Sequence, residues 1–250
     1  NYLQNISGLP RLTSVYLEPS QAVIAAVGFV GYSISMFRYD GGFKRLFFLG
    51  LAMLMCLLAI STTGYLGLFL GMLVFTYKIL FKSIKKDYQV KIFMVLIFML
   101  GSLFLIYASL FPQTDIGRVF GDIIFNKSDS VSAEYRMGAD ALGLELLGNS
   151  MGLGVGLGSH RASSFIVLIA SSLGYVGLFI LAIAIYRINK YIRKSSKYTV
   201  SYSWGLLFVL ITMAIAGADP NHPILWLFIA LVVGGVLKDS NARFSEKTLI

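Results

Sequence analysis

Charge is what this chain has least of. Only 13% of its residues are Asp, Glu, Lys or Arg, against about 25% in soluble domains, which excludes an ordinary water-soluble fold. A single cysteine, Cys56, excludes disulfides and cysteine-ligated metals, and its place inside an apolar run makes it a packing residue. His160 and His222 are the only histidines, and no carboxylate stands at ligand spacing from either, so no metal or other cofactor is expected. The opening segment from Asn1 has neither an initiator Met nor a signal-peptide pattern, which reads as a fragment lacking N-terminal spans. What is present is hydrophobic: 57% of residues, with a mean hydropathy of +0.77. This is the composition of an integral membrane protein. The net charge of +9 does not point to nucleic acid, because the basic residues sit in clusters at the ends of apolar runs, as orientation signals do.

The expected architecture is all-α, a polytopic helical membrane protein forming one transmembrane domain over residues 1–250. Glu18-Pro19 reads as a helix start, since proline at the first helical position gives up no needed N–H and a carboxylate suits the positive end of the dipole. The first span covers about Pro19 to Phe37 and closes on Arg38, Lys44 and Arg45. From Leu46 to Tyr77 no charge appears for 32 positions, a length of about 48 Å as one helix against a hydrocarbon core of about 30 Å. A turn at Ser61-Thr62-Thr63-Gly64 therefore splits it into two short helices paired as a hairpin. Ile92–Phe111, Ser163–Tyr186, Tyr198–Gly217 and Ile224–Leu237 complete about seven spans, followed by a polar tail from Lys238. Trp204 and Trp226 fall near span ends, as belt aromatics do.

One long polar interruption, residues 112–162, breaks this pattern. Sidedness follows from counting: sixteen of the 21 basic residues lie in segments that share one compartment, which makes that side cytoplasmic. The remainder, Arg11, Arg118, Lys127, Arg136 and Arg161, lie on the other side with the loop. The loop is thus exterior and the C-terminus cytoplasmic. Lysine suffices to orient a helix, whereas the guanidinium fork matches phosphate or carboxylate oxygens bidentately. Exterior arginines retained against the orientation rule are candidates for binding an anion, or for pairing with the loop carboxylates Asp115, Asp122, Asp129, Glu134, Asp140 and Glu145.

Within the loop, Ser132–Leu147 reads as a helix whose apolar face is Tyr135, Ala139, Leu142 and Leu146. Arg136 and Asp140 are four apart on another face, either a surface ion pair or an anion-binding arginine steadied by a carboxylate. The run from Gly152 to Gly158 lacks the preceding strand of a dinucleotide-binding turn. Its alternate glycines, Gly154, Gly156 and Gly158 among them, either bring backbone close to a ligand or a neighbouring helix, or merely connect loop to span. His160 and His222 are each a general base or a tolerated polar residue, and Glu18 a cap or a base. No span carries an ionisable residue near its centre, which argues against a pump or symporter.

Three segments together resemble the bacterial O-antigen ligase and polymerase superfamily, the Wzy/WaaL membrane glycosyltransferases, over its C-terminal portion. They are Arg11-Leu-Thr-Ser-Val-Tyr-Leu-Glu18-Pro19-Ser20 before a span, Arg136 followed by an apolar helix and the glycine run, and Ser163-Ser164 followed after nine residues by Gly174-Tyr175-Val176-Gly177. Where the family's ligases carry a histidine, this chain has Ser163, with His160 one helical turn earlier. The resemblance implies a GT-C-like fold in the bacterial plasma membrane, with the loop periplasmic or extracellular and carrying short helices. It implies a metal-independent inverting glycosyltransferase without cofactors, whose donor is a glycan on undecaprenyl pyrophosphate. The expected function is a polymerase of lipid-linked oligosaccharide repeats, for O-antigen, capsule or exopolysaccharide, with a second lipid-linked glycan as acceptor. The alternatives are a ligase acting on lipid A core and a non-enzymatic lipid-linked glycan transporter. In this reading Arg11, Arg118, Arg136 and Arg161 grip the pyrophosphate, His160, Glu134 or Glu18 is the base, and Gly154, Gly156, Gly158, Ser163 and Gly174 shape the backbone approach.

Overall fold

The computed structural model describes residues 5–6, 9–10, 19–59, 61–82, 131–192, 195–217 and 219–248. Arg11, Glu18, Arg118, the loop before Val131 and the expected span Ile92–Phe111 lie outside the described residues. Those described form seven helices: α1 (Pro19–Asp40), α2 (Phe43–Leu58), α3 (Thr62–Lys82), α4 (Val131–Asn149), α5 (Phe165–Ile192), α6 (Lys197–Ile215) and α7 (Pro223–Thr248). A short antiparallel ladder, β1 (Asn5–Ile6) with β2 (Leu9–Pro10), precedes them, Ile6 lying opposite Leu9. The two residues between these strands are the shortest common hairpin connection. Four helical stretches are long and apolar enough to cross a membrane: Gln21–Asp40, Phe165–Ile192, Lys197–Ile215 and Pro223–Asn241.

α1 and α6 lie along each other at the centre; α2 packs on α1, α7 and α5 pack on α6, and α3 packs on both. Small residues make this possible. A Cβ on Gly28 would come within 2.6 Å of Val209, and one on Gly31 within 2.7 Å of Phe208. Close backbone approach of this kind is how helices associate where lipid removes the hydrophobic drive. Val23, Val27, Val30 and Ile34 of α1 then meet Phe75 of α3 and Phe208 of α6 in one buried cluster. The outward faces are the reverse of a soluble protein's, with Phe47, Phe48, Leu51 and Leu54 of α2 and Phe179 and Ile180 of α5 all exposed.

Three expectations need correction. Leu46–Tyr77 does divide into two helices, but α2 and α3 do not pair as a hairpin; α2 packs on α1, and α3 on α6 and α1. The glycines of α3, Gly64, Gly67 and Gly71, sit against Val23 of α1 and Thr212 and Phe208 of α6, whereas the free faces of α2 and α3 are large Leu and Phe. Trp204 is no belt residue. It is buried, its ring centroid 4.6 Å from that of Phe75, with the Lys78 ammonium 5.0 Å above it. It lies two turns inside α6, on the face turned to the core. Trp226, by contrast, is exposed at the start of α7 and donates to the Pro220 carbonyl at 2.8 Å. Finally, α7 continues through the expected polar tail to Thr248. Asp239 fastens it there, accepting from the Ser196 N–H at 2.8 Å and the Thr199 hydroxyl at 2.9 Å.

The helices alternate in direction, so the bundle has two chemically distinct ends. At one, Asp40 pairs with Lys197 and Arg45, and Asp239 holds the start of α6. At the other, the Gly217 N–H donates to the Ser163 carbonyl at 2.8 Å, and α4 docks.

Candidate functional site

The site is built at the α4 end, where one face of α4 settles on the start of α5. That face is Arg136, Ala139, Asp140, Gly143 and Leu147, and not the expected Tyr135–Ala139–Leu142–Leu146 stripe. Tyr135 is 79% and Leu142 is 48% exposed. Size rather than hydrophobicity selects the buried face. A Cβ on Gly143 would lie 2.7 Å from Val167 and 3.0 Å from the His160 ring, so only glycine lets both reach the helix.

Asp140 is the clamp. Its Oδ1 accepts from the Ser163 N–H at 2.6 Å and the Ser164 N–H at 3.0 Å, two donors at the start of α5 that the helix itself cannot satisfy. The Ser164 hydroxyl adds an ordinary N-cap, accepting from the Val167 N–H at 3.4 Å. The expected Arg136–Asp140 ion pair is not formed; among the described residues neither side chain lies within ion-pair distance of the other. Arg136 instead donates to the Thr63 hydroxyl of α3 at 3.3 Å, across 73 positions of sequence. Its guanidinium is half-buried and meets no carboxylate among the described residues.

His160 Nε2 lies 2.9 Å from the Ala139 carbonyl. A carbonyl only accepts, so Nε2 carries the hydrogen and Nδ1 of the neutral ring holds the lone pair of a base. Arg136, Asp140, His160, Ser163 and Thr63 are thus gathered within about two turns of α4. Glu134 is on the exposed side of α4, and Arg161 and Gly158 are also exposed, Arg161 with no ion pair among the described residues. His222 is buried at the same end, its Nε2 3.2 Å from the Gln21 carbonyl of α1. Burial pushes its imidazole below the ordinary range, while the Gln21 carbonyl and the Asp219 carboxylate pull the other way.

The glycine run lies along α5. The Val155 and Gly156 N–H groups donate to the Ser171 and Ser172 carbonyls at 2.8 and 2.9 Å, and the Tyr175 N–H donates to the Gly152 carbonyl at 2.9 Å. Gly154 comes so close that a Cβ there would stand 2.6 Å from the Gly174 nitrogen. Gly174 itself interrupts α5 with φ 65° and ψ −162°. Sequence reasoning missed Thr63 and the capping role of Asp140. The Ser-Thr-Thr-Gly turn and the spacing of Asp140 were visible, but their partners are 73 and 23 positions away. Among the described residues no group of three or more His, Cys, Asp or Glu could hold a metal ion.

No protein-family model matches the chain, and no curated protein or solved structure matches it either.

Proposed function

We propose that the chain is a polymerase of oligosaccharide repeat units carried on undecaprenyl pyrophosphate, acting at the outer face of the bacterial plasma membrane. One observation carries this reading: Arg136, half-buried at the end of a membrane bundle, meets no carboxylate among the described residues, and the Ala139 carbonyl that holds His160 Nε2 lies one helical turn along the same helix. Fixed guanidinium groups stabilise a departing pyrophosphate without a metal. Among the described residues, Arg45 and Lys197 pair with Asp40 at the opposite end, which supports an orientation with Arg136 outside and the C-terminus in the cytoplasm. The fold in this reading is a GT-C-like bundle of about seven spans, the four named above with α2, α3 and Ile92–Phe111.

In the reaction, His160 takes the proton from the acceptor sugar hydroxyl, whose oxygen attacks the anomeric carbon from the face opposite the leaving group. The bond from that carbon to the pyrophosphate oxygen breaks, with inversion, and the lipid pyrophosphate leaves against Arg136, joined by Arg161, Arg11 and Arg118. Glu134 and Glu18 are the lesser candidates for the base, Glu134 because it lies on the exposed side of α4.

The test is Arg136→Ala and Arg136→Lys in cells making the polysaccharide. Loss of one such stabilising donor typically lowers turnover by about 10² to 10³, so long polymer should collapse to single repeats. Lysine should rescue poorly, because it keeps the charge without the planar fork. Unchanged chain length at normal protein level would refute the reading. A ligase acting on lipid A core is the second reading, favoured by His160 and Ser163 both docking on the Ala139–Asp140 turn. Gene loss separates the two, since a ligase defect accumulates polymer on undecaprenyl and a polymerase defect accumulates single repeats. A non-enzymatic transporter would leave polymer length insensitive to Arg136.

A further inference from the structure

We infer that the loop from Ser150 to Gly158 is embedded in the bilayer, its partner being the acyl-chain boundary of the leaflet at the α4 end. The reaction proposed above plays no part in this. Three observations lead to it.

The first is the side chains. Met151, Leu153 and Leu157 are 91%, 74% and 65% exposed, and no Asp, Glu, Lys or Arg occurs between Glu145 and Arg161. A loop in water seldom presents three large apolar side chains with no charge among them.

The second is the backbone. Only the N–H groups of Leu157 and Gly158, at the far end of the loop, find no acceptor among the described residues, and those of Ser150, Met151, Gly152, Leu153, Gly154, Val155 and Gly156 donate within the protein. Their acceptors are the carbonyls of Leu146, Gly148, Leu147 and Ser150, the Ser150 hydroxyl, and the carbonyls of Ser171 and Ser172. An aqueous loop has no need of this, because water serves its donors. Irregular backbone at membrane depth does need it, since hydrocarbon offers no substitute and each unmet group costs several kcal/mol there.

The third is position. α5 has 28 residues, about 42 Å of helix and too long for a core of about 30 Å. It breaks at Gly174, and from Tyr175 to Tyr186, where the basic cluster begins, is only about 18 Å, so hydrocarbon must reach past the break toward Phe165. The loop docks at that break, taking the Ser171 and Ser172 carbonyls and the Tyr175 N–H. It therefore sits beside a part of α5 that hydrocarbon must cover. Its apolar side chains continue the exposed surface of Tyr175, Val176 and Phe179, the outward face of a membrane span. The ring of Tyr175 rests on Gly152, as an aromatic at the membrane–water boundary would cover a backbone turn.

The experiment uses the full chain in phosphatidylcholine/phosphatidylglycerol vesicles. Cys56 is buried, so cysteines introduced singly by Met151→Cys, Leu153→Cys and Leu157→Cys take an environment-sensitive fluorophore, with Glu145→Cys as an aqueous reference. Each is read against a nitroxide on the upper acyl chain and against iodide in the buffer. At the three loop positions the lipid nitroxide should quench several-fold more than iodide, with blue-shifted emission, and at position 145 the order should reverse. Iodide quenching at the loop equal to that at position 145 would place it in water and overturn the inference. Quenching by neither would mean that protein covers it, which overturns it too. All three sites are exposed, so any one labelled variant that elutes as the unlabelled protein does decides the question.

Discussion

Asp140 shows how a single carboxylate chooses between two offers. Its spacing from Arg136 allows an exposed i,i+4 ion pair, worth a few tenths of a kcal/mol. The start of α5 offers two unsatisfied N–H donors at the positive end of a helix, and hydrogen bonds to a charged acceptor are worth about 1.5–3 kcal/mol each. The second offer wins, and Arg136 bonds the Thr63 hydroxyl instead of Asp140. Asp140→Ala should therefore lower stability by about 2 kcal/mol or more, with two buried donors left without an acceptor. Asp140→Asn, which keeps an acceptor oxygen, should cost about half as much. Chemical unfolding in detergent measures both. Equal losses in the two variants would mean that the backbone caps are not what Asp140 contributes.

At the level of elements, α4 and α5 are legible in outline and not in detail. Helical periodicity places α4 correctly within a few residues, yet the stripe it picks out, with Tyr135 and Leu142, faces outward. Periodicity finds the most apolar face, whereas the docking partner needed the thinnest one, at Gly143. The interruption of α5 is likewise unmarked by hydropathy, since Phe165–Tyr186 carries no charge on either side of Gly174. Gly174 has a backbone conformation open in practice only to glycine, and a Cβ there would also run into the Gly152 carbonyl. Gly174→Ala should cost about 3 kcal/mol or more and release the glycine run from α5. Limited proteolysis between residues 150 and 158 should become faster, with a lower unfolding temperature. An unchanged cleavage rate would show that the loop holds to α5 without this break.

Over the whole molecule, the described carboxylates and histidines that join distant elements lie at the two ends of the bundle. Asp40 and Asp239 tie α1, α6 and α7 at one end, while Asp140, His160 and His222 tie α4, α5, α7 and α1 at the other. His222 makes that second set sensitive to acid. Its folded pKa is lowered by burial, so the unfolded chain, titrating near 6.5, binds the proton more readily than the folded one. Its contribution to stability is complete above about pH 6.5 and is lost as the pH falls from there toward the lowered folded value. Unfolding temperature should thus decline between pH 7.5 and 5, and His222→Asn should flatten that decline relative to the parent. A slope unaffected by the substitution would assign the pH response to another group.

Membrane class, the starts of α1, α6 and α7, and the division between α2 and α3 were readable from the chain alone, because each depends on hydropathy and charge summed over one local stretch. The tertiary structure alone decided that Arg136 meets Thr63, that Asp140 caps α5, that Trp204 joins the core and that Gly174 breaks a helix around a docked loop. A hydrogen bond or a close contact belongs to two segments at once, and no spacing within either one records which partner the fold will bring to it.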